Sequence, residues 1–348
     1  MKEYIALDTH KHYSVGERED VATGVAQPCR ITHRPGAIRE FLRGIDPGTP
    51  VALETSGHWY WIADEIAAAG GRPALVHAYK AKVMFGCVNK TDRLDVRGLN
   101  RLQRAGTLPE VWLPPPELRD QRDLPRTRMF LVCQRSRLKC RILAHLARYG
   151  WNVHDVTDPF GHTGRAQIAQ ALATLPTYTQ SMTRQLLAQY DFVDQQVTDA
   201  EKQIAALVAL TPDMQRLMTL PGVGRILAVV ITLEVGDVTR FAYADRLAAY
   251  AGTTPRVSSS GDRTRYGRLR QDVNRYLKWA FLEAANGVSL HRARHPERYV
   301  TRRYLQLARR KNHRTALGAV ARHLAEAAWH VLQRKENYRE ATGGSTRT

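Results

Sequence analysis

Two short apolar runs that each stop on an acid constrain this chain most. Tyr4 to Leu7 ends on Asp8, and Val51 to Leu53 ends on Glu54. Runs this short and apolar suit buried strands, and open α/β sheets gather their ligands at the carboxyl ends of such strands. Around them lie an alternating stretch from His12 to Glu17, a third candidate strand near Arg30 to Thr32 and a helix opened by Pro35 that reaches Arg43. A helix from Trp59 to Ala69 and a short strand at Ala74 to His77 follow. Three early strands, then helix and strand in alternation, predict an α/β domain over residues 1–112.

Asn89 to Val96, NKTDRLDV, adds Asp92 and Asp95, three apart and so on one face if the segment is helical. Taken singly, each acid reads as a solvated or capping residue, and Thr91-Asp92 suits a helix N-cap. Taken together at one sheet edge, Asp8, Glu54, Asp92 and Asp95 would repel one another unless a cation lay between them. Hard divalent ions with oxygen ligands relieve such repulsion, Mg²⁺ first and Mn²⁺ as the alternative.

Leu113 to Glu117, LPPPE, is a stiff linker, because three prolines continue neither a helix nor a central strand. Residues 113–210 then read as helical. Met129, Cys133, Ser136, Cys140, Leu143 and Ala147 step by heptad spacing, as do Leu186, Tyr190, Val193, Val197, Ala200, Ile204 and Leu207. Such seams predict a coiled coil, either within the chain or across a subunit interface.

The third region, residues 211–348, is predicted to be mainly helical. Leu217 to Ala228, LMTLPGVGRILA, places a tight turn with Gly222 and Gly224 between two helices. That resembles a helix-hairpin-helix module holding a nucleic-acid phosphate on backbone amides, and equally a Gly-rich turn between packed helices. A helix from Tyr243 to Ala251 leads to Thr253–Arg270, TTPRVSSSGDRTRYGRLR. There Ser258, Ser259 and Ser260 precede Gly261, and Arg263, Arg265, Arg268 and Arg270 follow. Guanidiniums can neutralise charge that develops when a hydroxyl attacks phosphorus, although Ser, Gly and Arg also make plain surface turns.

Charge favours the phosphate reading. The chain carries 52 Lys+Arg against 33 Asp+Glu, and 21 of those basic residues but only 7 acids fall in residues 256–348, a local surplus of +14. Arg302, Arg303, Arg309, Arg310 and Lys311 lie in that surplus, with Tyr299, Tyr304 and Trp329 interleaved for base stacking or for packing. Four scattered cysteines, Cys29, Cys87, Cys133 and Cys140, form no C-x-x-C pair and fit buried free thiols in a reducing cytoplasm. No stretch has signal-peptide or membrane-span character.

Taken together, IALD with Asp8, ALETSG with Glu54, KTDRLD with Asp92 and Asp95, LPGVGRILA, RFAYADRLAAYAGTTPR and SSSG with its basic sequel resemble the DEDD transposases of the insertion-sequence-110 family, relatives of the Piv invertases. The resemblance covers nearly the whole chain. It implies a RuvC-like (RNase H-like) N-terminal domain, with the four acids holding Mg²⁺, and a C-terminal transposase domain whose catalytic serine, directly before the glycine, is Ser260. It further implies donor and target DNA, an element-encoded structured guide (bridge) RNA, a phosphoserine intermediate, and a homo-oligomer in which dimers assemble to a tetramer, in a bacterial cytoplasm beside the nucleoid. The chain departs from the family after Asp8, where Thr9, His10 and Lys11 stand instead of a small residue and Lys, and at Gln271-Asp272-Val273-Asn274 with Leu277-Lys278. Asp262 or a metal-bound hydroxide would serve as general base. Two rival expectations are a metal-dependent nuclease or junction resolvase that cuts with water, and a non-catalytic nucleic-acid scaffold.

Overall fold

The computed structural model describes residues 2–55, 57–85, 91–261 and 263–340, so Cys87, Asn89, Lys90 and Asp262 lie outside the described residues. The chain forms two compact units, Met1–Pro116 and Glu117–Thr348.

The first unit is a mixed sheet flanked by helices. Its elements are β1 (Glu3–Thr9), β2 (Tyr13–Asp20), β3 (Ala26–Thr32), α1 (Ala37–Phe41), β4 (Pro50–Glu54), α2 (Trp59–Ala68), β5 (Arg72–Val76), α3 (Ala78–Phe85) and α4 (Asp92–Arg104). The sheet order is β3-β2-β1-β4-β5, antiparallel from β3 to β1 and parallel from β1 to β5. The third strand starts earlier than Arg30, and α3 has no periodic signal of its own.

Strand alternation divides the core. Ile5, Leu7, Val51 and Leu53 pack with Ile38, Leu42, Ile62 and Ile66 of α1 and α2. Ala6, Ala52 and Val76 face the other way and pack with Phe85 of α3 and with Val96, Leu99 and Leu102 of α4. Because successive strand residues alternate faces, Asp8 and Glu54, each two beyond an alanine of that second layer, belong to the α4 side. Polar contacts fix α4 there: Gln103 Nε2 donates to the Ile5 carbonyl at 2.7 Å, and Asn100 Nδ2 donates to the buried Glu17 at 3.2 Å.

The second unit begins with two long helices, α5 (Pro116–Ala147) and α7 (Thr177–Leu207), separated by α6 (His162–Thr174). Arg128 and Arg135 on α5 pair with Glu201 and Asp194 on α7, and farther along His145 and Tyr149 hydrogen-bond to Thr183 and Thr179. One set of partners climbs as the other descends, so the helices run antiparallel within the chain. On α7 the predicted seam holds at Tyr190, Val197, Ala200 and Ile204, which are buried, whereas Leu207 is exposed. On α5 the stepped positions do not pack inside the chain: Cys133, Ser136, Cys140 and Ala147 are exposed. The packed face of α5 is Ile142 and Leu146 continued by Arg and His, a mixed face that an apolar heptad template cannot detect. The expectation of buried thiols fails too, since Cys29, Cys133 and Cys140 are free and exposed.

The remaining elements are α8 (Pro212–Leu217), α9 (Arg225–Val235), a 3-10 turn (Val238–Arg240), α10 (Ala244–Tyr250), β6 (Pro255–Ser260), β7 (Arg263–Leu269), α11 (Arg275–Leu290), α12 (Tyr299–Arg310) and α13 (His313–Arg334). Their largest core gathers Met214, Leu217, Ile231, Leu247, Phe281, Leu324 and their neighbours. The serine stretch, expected as a loop, is an antiparallel hairpin of β6 and β7. No described helix is long and apolar enough to cross a membrane.

Candidate active site

At the carboxyl end of β1 the chain reaches the first polar cluster. The β1–β4 pairing ends at Leu7 opposite Leu53, so Asp8 and Glu54 emerge side by side from the parallel sheet edge. Thr91 caps α4 by accepting from the Leu94 amide, which places Asp92 and Asp95 in its first turn, where the helix dipole favours negative charge.

The side chain that completes the cluster is His10, in the turn after β1. Its Nε2 stands 3.2 Å from Asp8 Oδ2 and 3.1 Å from Asp92 Oδ2. Ligating atoms of Asp8, His10 and Asp92 all lie within 4.8 Å of one another. Tyr13 stacks on His10 at 4.5 Å between ring centroids, donates to Asp92 Oδ2 at 3.3 Å, and carries the Arg30 guanidinium over its ring at 3.8 Å. A cavity of about 420 Å³ opens beside Tyr13, Arg30, Thr91 and Asp92. Of the four acids singled out by sequence, Asp8 and Asp92 are thus drawn together, while Glu54 and Asp95 stand on the same side outside that group. In the sequence His10 marks only a departure after Asp8. The signal that could have found it is its position two residues after the acid, on the same side of an extended strand.

The β6–β7 hairpin carries the serines. Ser260 pairs with Arg263, Ser259 with Thr264 and Ser258 with Arg265. Directly opposed residues share a face, so Ser258, Ser260, Arg263 and Arg265 project to one side, and Ser259, Thr264, Tyr266 and Arg268 to the other. Ser259 Oγ lies 3.2 Å from Thr264 Oγ1 across the strands. Gly261, at φ +57°, takes the left-handed conformation that turns the chain immediately after Ser260. Tyr266 is 73% exposed. Arg270, at the root, donates to Asp272 at 2.8 Å; this bond holds the Asp272 carboxyl down at about 2, and Asp272 raises the guanidinium in return. Arg270 is therefore already paired, unlike the exposed Arg263, Arg265 and Arg268 at its side.

The second unit also holds a buried polar hub that in the sequence shows only as an interruption of an apolar run. Glu234 of α9 is 2% exposed. It accepts from Arg126 Nε and Nη2 at 2.7 and 2.9 Å and from Asn274 Nδ2 at 2.8 Å. Arg122 donates to the carbonyls of Leu233 and Glu234 at 2.8 and 3.0 Å, and burial lowers its pKa against the pull of Glu234. Asn274 in turn caps α11, accepting from the amides of Tyr276 and Leu277. One carboxylate thereby joins α5, α9 and the helix that follows the hairpin.

Gly222 and Gly224 divide in role. Gly222 has φ +78°, and a Cβ there would lie 2.1 Å from the Ala284 carbonyl oxygen, so this turn is pressed against α11. Gly224 has open space and begins α9. On α12, Arg302 and Arg309, like Arg303 and Arg310, are seven apart, two turns on one face, and all four are exposed together with Lys311. The aromatics are packed: Tyr304 is buried against His313, and Trp329 Nε1 donates to the Phe241 carbonyl at 2.9 Å.

Residues 214–300, which include the whole hairpin and Glu234, match the Transposase IS116/IS110/IS902 family. Over that segment the chain is similar to this transposase family. The chain is similar over 320 residues, at 24% identity, to a probable family 20 transposase of Pseudomonas aeruginosa, covering 89% of this chain and 91% of that protein. It is 25% identical over 254 residues to the transposase for insertion sequence element IS1111A of Coxiella burnetii, covering 72% and 69% of the two chains. An insertion element IS110 protein of Streptomyces coelicolor is 34% identical over 167 residues, 48% of this chain and 39% of its own length. The family match falls on the second unit.

Proposed function

We propose that this transposase moves DNA by attack of Ser260 on a DNA phosphate, with the Asp8, Glu54, Asp92 and Asp95 edge of an RNase H-like first unit holding Mg²⁺ or Mn²⁺. The observation that carries the reading is Ser260 at the tip of an exposed hairpin, directly opposite Arg263 and on one face with Arg265. The Oγ–phosphorus bond forms as the bond from phosphorus to a sugar oxygen breaks, and the serine proton passes to a base. Arg263 and Arg265 neutralise the oxygens of the crowded phosphorus. The phosphoserine ester keeps the strand attached, ready for rejoining by a second sugar hydroxyl. A divalent ion held by these acids would supply Lewis acidity at the phosphate. Asp8 and Asp92 offer hard oxygen donors for it, and the solvent-sealed His10 Nε2 beside them makes no well-angled hydrogen bond, as expected where a cation is to sit. The exposed Arg302, Arg303, Arg309, Arg310 and Lys311 bind backbone phosphates, and a structured guide RNA with an oligomeric assembly belongs to the same reading.

The test is a denaturing gel of labelled, nicked DNA that traps the adduct, followed by peptide mapping. Ser260→Ala should remove the protein–DNA adduct and all recombination, whereas Ser258→Ala and Ser259→Ala keep both. An adduct at another residue, or recombination by Ser260→Ala, overturns the assignment. A second reading, hydrolysis by the acid cluster alone, is favoured by how complete the Asp8, His10 and Asp92 group is by itself; cleavage that leaves DNA free of protein would support it.

A further inference from the structure

The proposed reaction gives the cation site an all-oxygen ligand set, and the case for a nitrogen ligand rests on that same cation site being real. The geometry at the end of β1 points to a mixed set. We infer that His10 Nε2 is a direct ligand of the divalent ion, so that this transposase holds its metal through one imidazole nitrogen and the carboxylates of Asp8 and Asp92, and prefers Mn²⁺ to Mg²⁺.

Three observations converge. The first is distance. An ion about 2.1 Å from each ligand atom subtends roughly 95–100° across the 3.2 Å gap from Nε2 to Asp8 Oδ2 and the 3.1 Å gap to Asp92 Oδ2, close to the right angle of neighbouring octahedral ligands. The three ligand atoms lie within 4.8 Å of one another, so at most a small side-chain adjustment lets them share it. The second is the state of Nε2, which is sealed from solvent yet makes no hydrogen bond of acceptable angle to either oxygen. A nitrogen buried between two carboxylates without such a bond is costly unless another centre satisfies it. The third is orientation. His10 lies against the Tyr13 ring, whose hydroxyl is bonded to Asp92 and whose opposite contact is Arg30. These outer partners hold the imidazole toward the acids, as partners around metal ligands do. Imidazole nitrogen suits the borderline transition ions, whereas Mg²⁺ favours oxygen alone.

The experiment uses the full chain and Mn²⁺ itself. Electron paramagnetic resonance counts bound Mn²⁺, and electron spin-echo modulation detects a coordinated nitrogen. Wild-type protein should bind the ion with ¹⁴N modulation that changes to the ¹⁵N pattern when only histidine is ¹⁵N-labelled, a readout that needs no substitution. His10→Ala should lose the modulation, His12→Ala should keep it, and the Mn²⁺ over Mg²⁺ affinity ratio should fall about 10-fold or more in His10→Ala. Bound Mn²⁺ without histidine-nitrogen coupling overturns the inference and leaves the carboxylate site standing. Absence of Mn²⁺ binding to the wild-type protein overturns both.

Discussion

Glu234→Ala should be among the most damaging single changes in the second unit, and its cost can be worked from the hub. The substitution removes the acceptor of two Arg126 bonds and one Asn274 bond, and strips the facing charge from Arg122, whose side chain is 5% exposed. Removing one partner of a buried ion pair costs about 3–5 kcal/mol, because the remaining charge stays desolvated. Arg126 retains some solvent contact, so about 3–4 kcal/mol is expected. At roughly 2–4 °C per kcal/mol for a unit of this size, the melting temperature should fall by about 6–16 °C. Thermal unfolding followed by circular dichroism measures it, with Glu201→Ala as the control, since its pair with Arg128 is partly exposed and exposed pairs contribute about 0–1 kcal/mol. Adding Arg126→Leu to Glu234→Ala should restore part of the loss by removing the stranded charge. A fall no larger than that of Glu201→Ala would refute the claim that this carboxylate ties the unit together.

The remaining predictions concern the turn, one histidine and the basic face. Gly222→Ala should cost about 2–4 kcal/mol through its left-handed backbone and its clash with α11, while Gly224→Ala should melt like wild type; equal melts would show that the turn does not press on α11. Burial holds the His323 pKa below its ordinary 6.5. The folded state therefore binds fewer protons than the unfolded one, so stability present above 6.5 is lost as pH falls below it, and His323→Phe should flatten that slope in melts taken between neutral and mildly acidic pH. DNA affinity should drop roughly 10³-fold between 50 and 200 mM salt if about six phosphate contacts form; a flat titration would make the α12 stripe an idle solvated face.

How much of this molecule is legible in its sequence depends on what each residue advertises. Asp8 and Glu54 can be placed because an apolar run that stops on an acid marks both a strand and its end. The sheet order cannot, since β1 pairs with β2 locally and with β4 across a crossover, and periodicity reports neither partner. The serine stretch reads as a loop because Ser, Arg and Thr give its two strands no apolar face, which leaves the period of two invisible; only Gly261 marks the turn. The α5 seam misleads for the opposite reason: its cysteines and alanine imitate an apolar line, while the working face is built from Arg128, Arg135 and His145. His10 and Glu234 are visible as oddities, a histidine after a strand-end acid and a lone acid in an apolar helix. Their contacts are decided by chain far away in sequence, Asp92 for one and Arg126 for the other.

The hairpin that bears Ser260 has no hydrophobic face to bury: among its described residues, Arg256 through Arg268 are exposed. A two-stranded ribbon of this kind is barely stable in water. Its arginines repel one another until counter-ions lie between them, so on the proposed reading the DNA to be cut would also supply the counter-charge that lets the ribbon settle. Substrate would in this sense be a structural component of the tip that carries Ser260. On the proposed reading, that dependence would act as a safety catch, released only when nucleic acid lies against the ribbon.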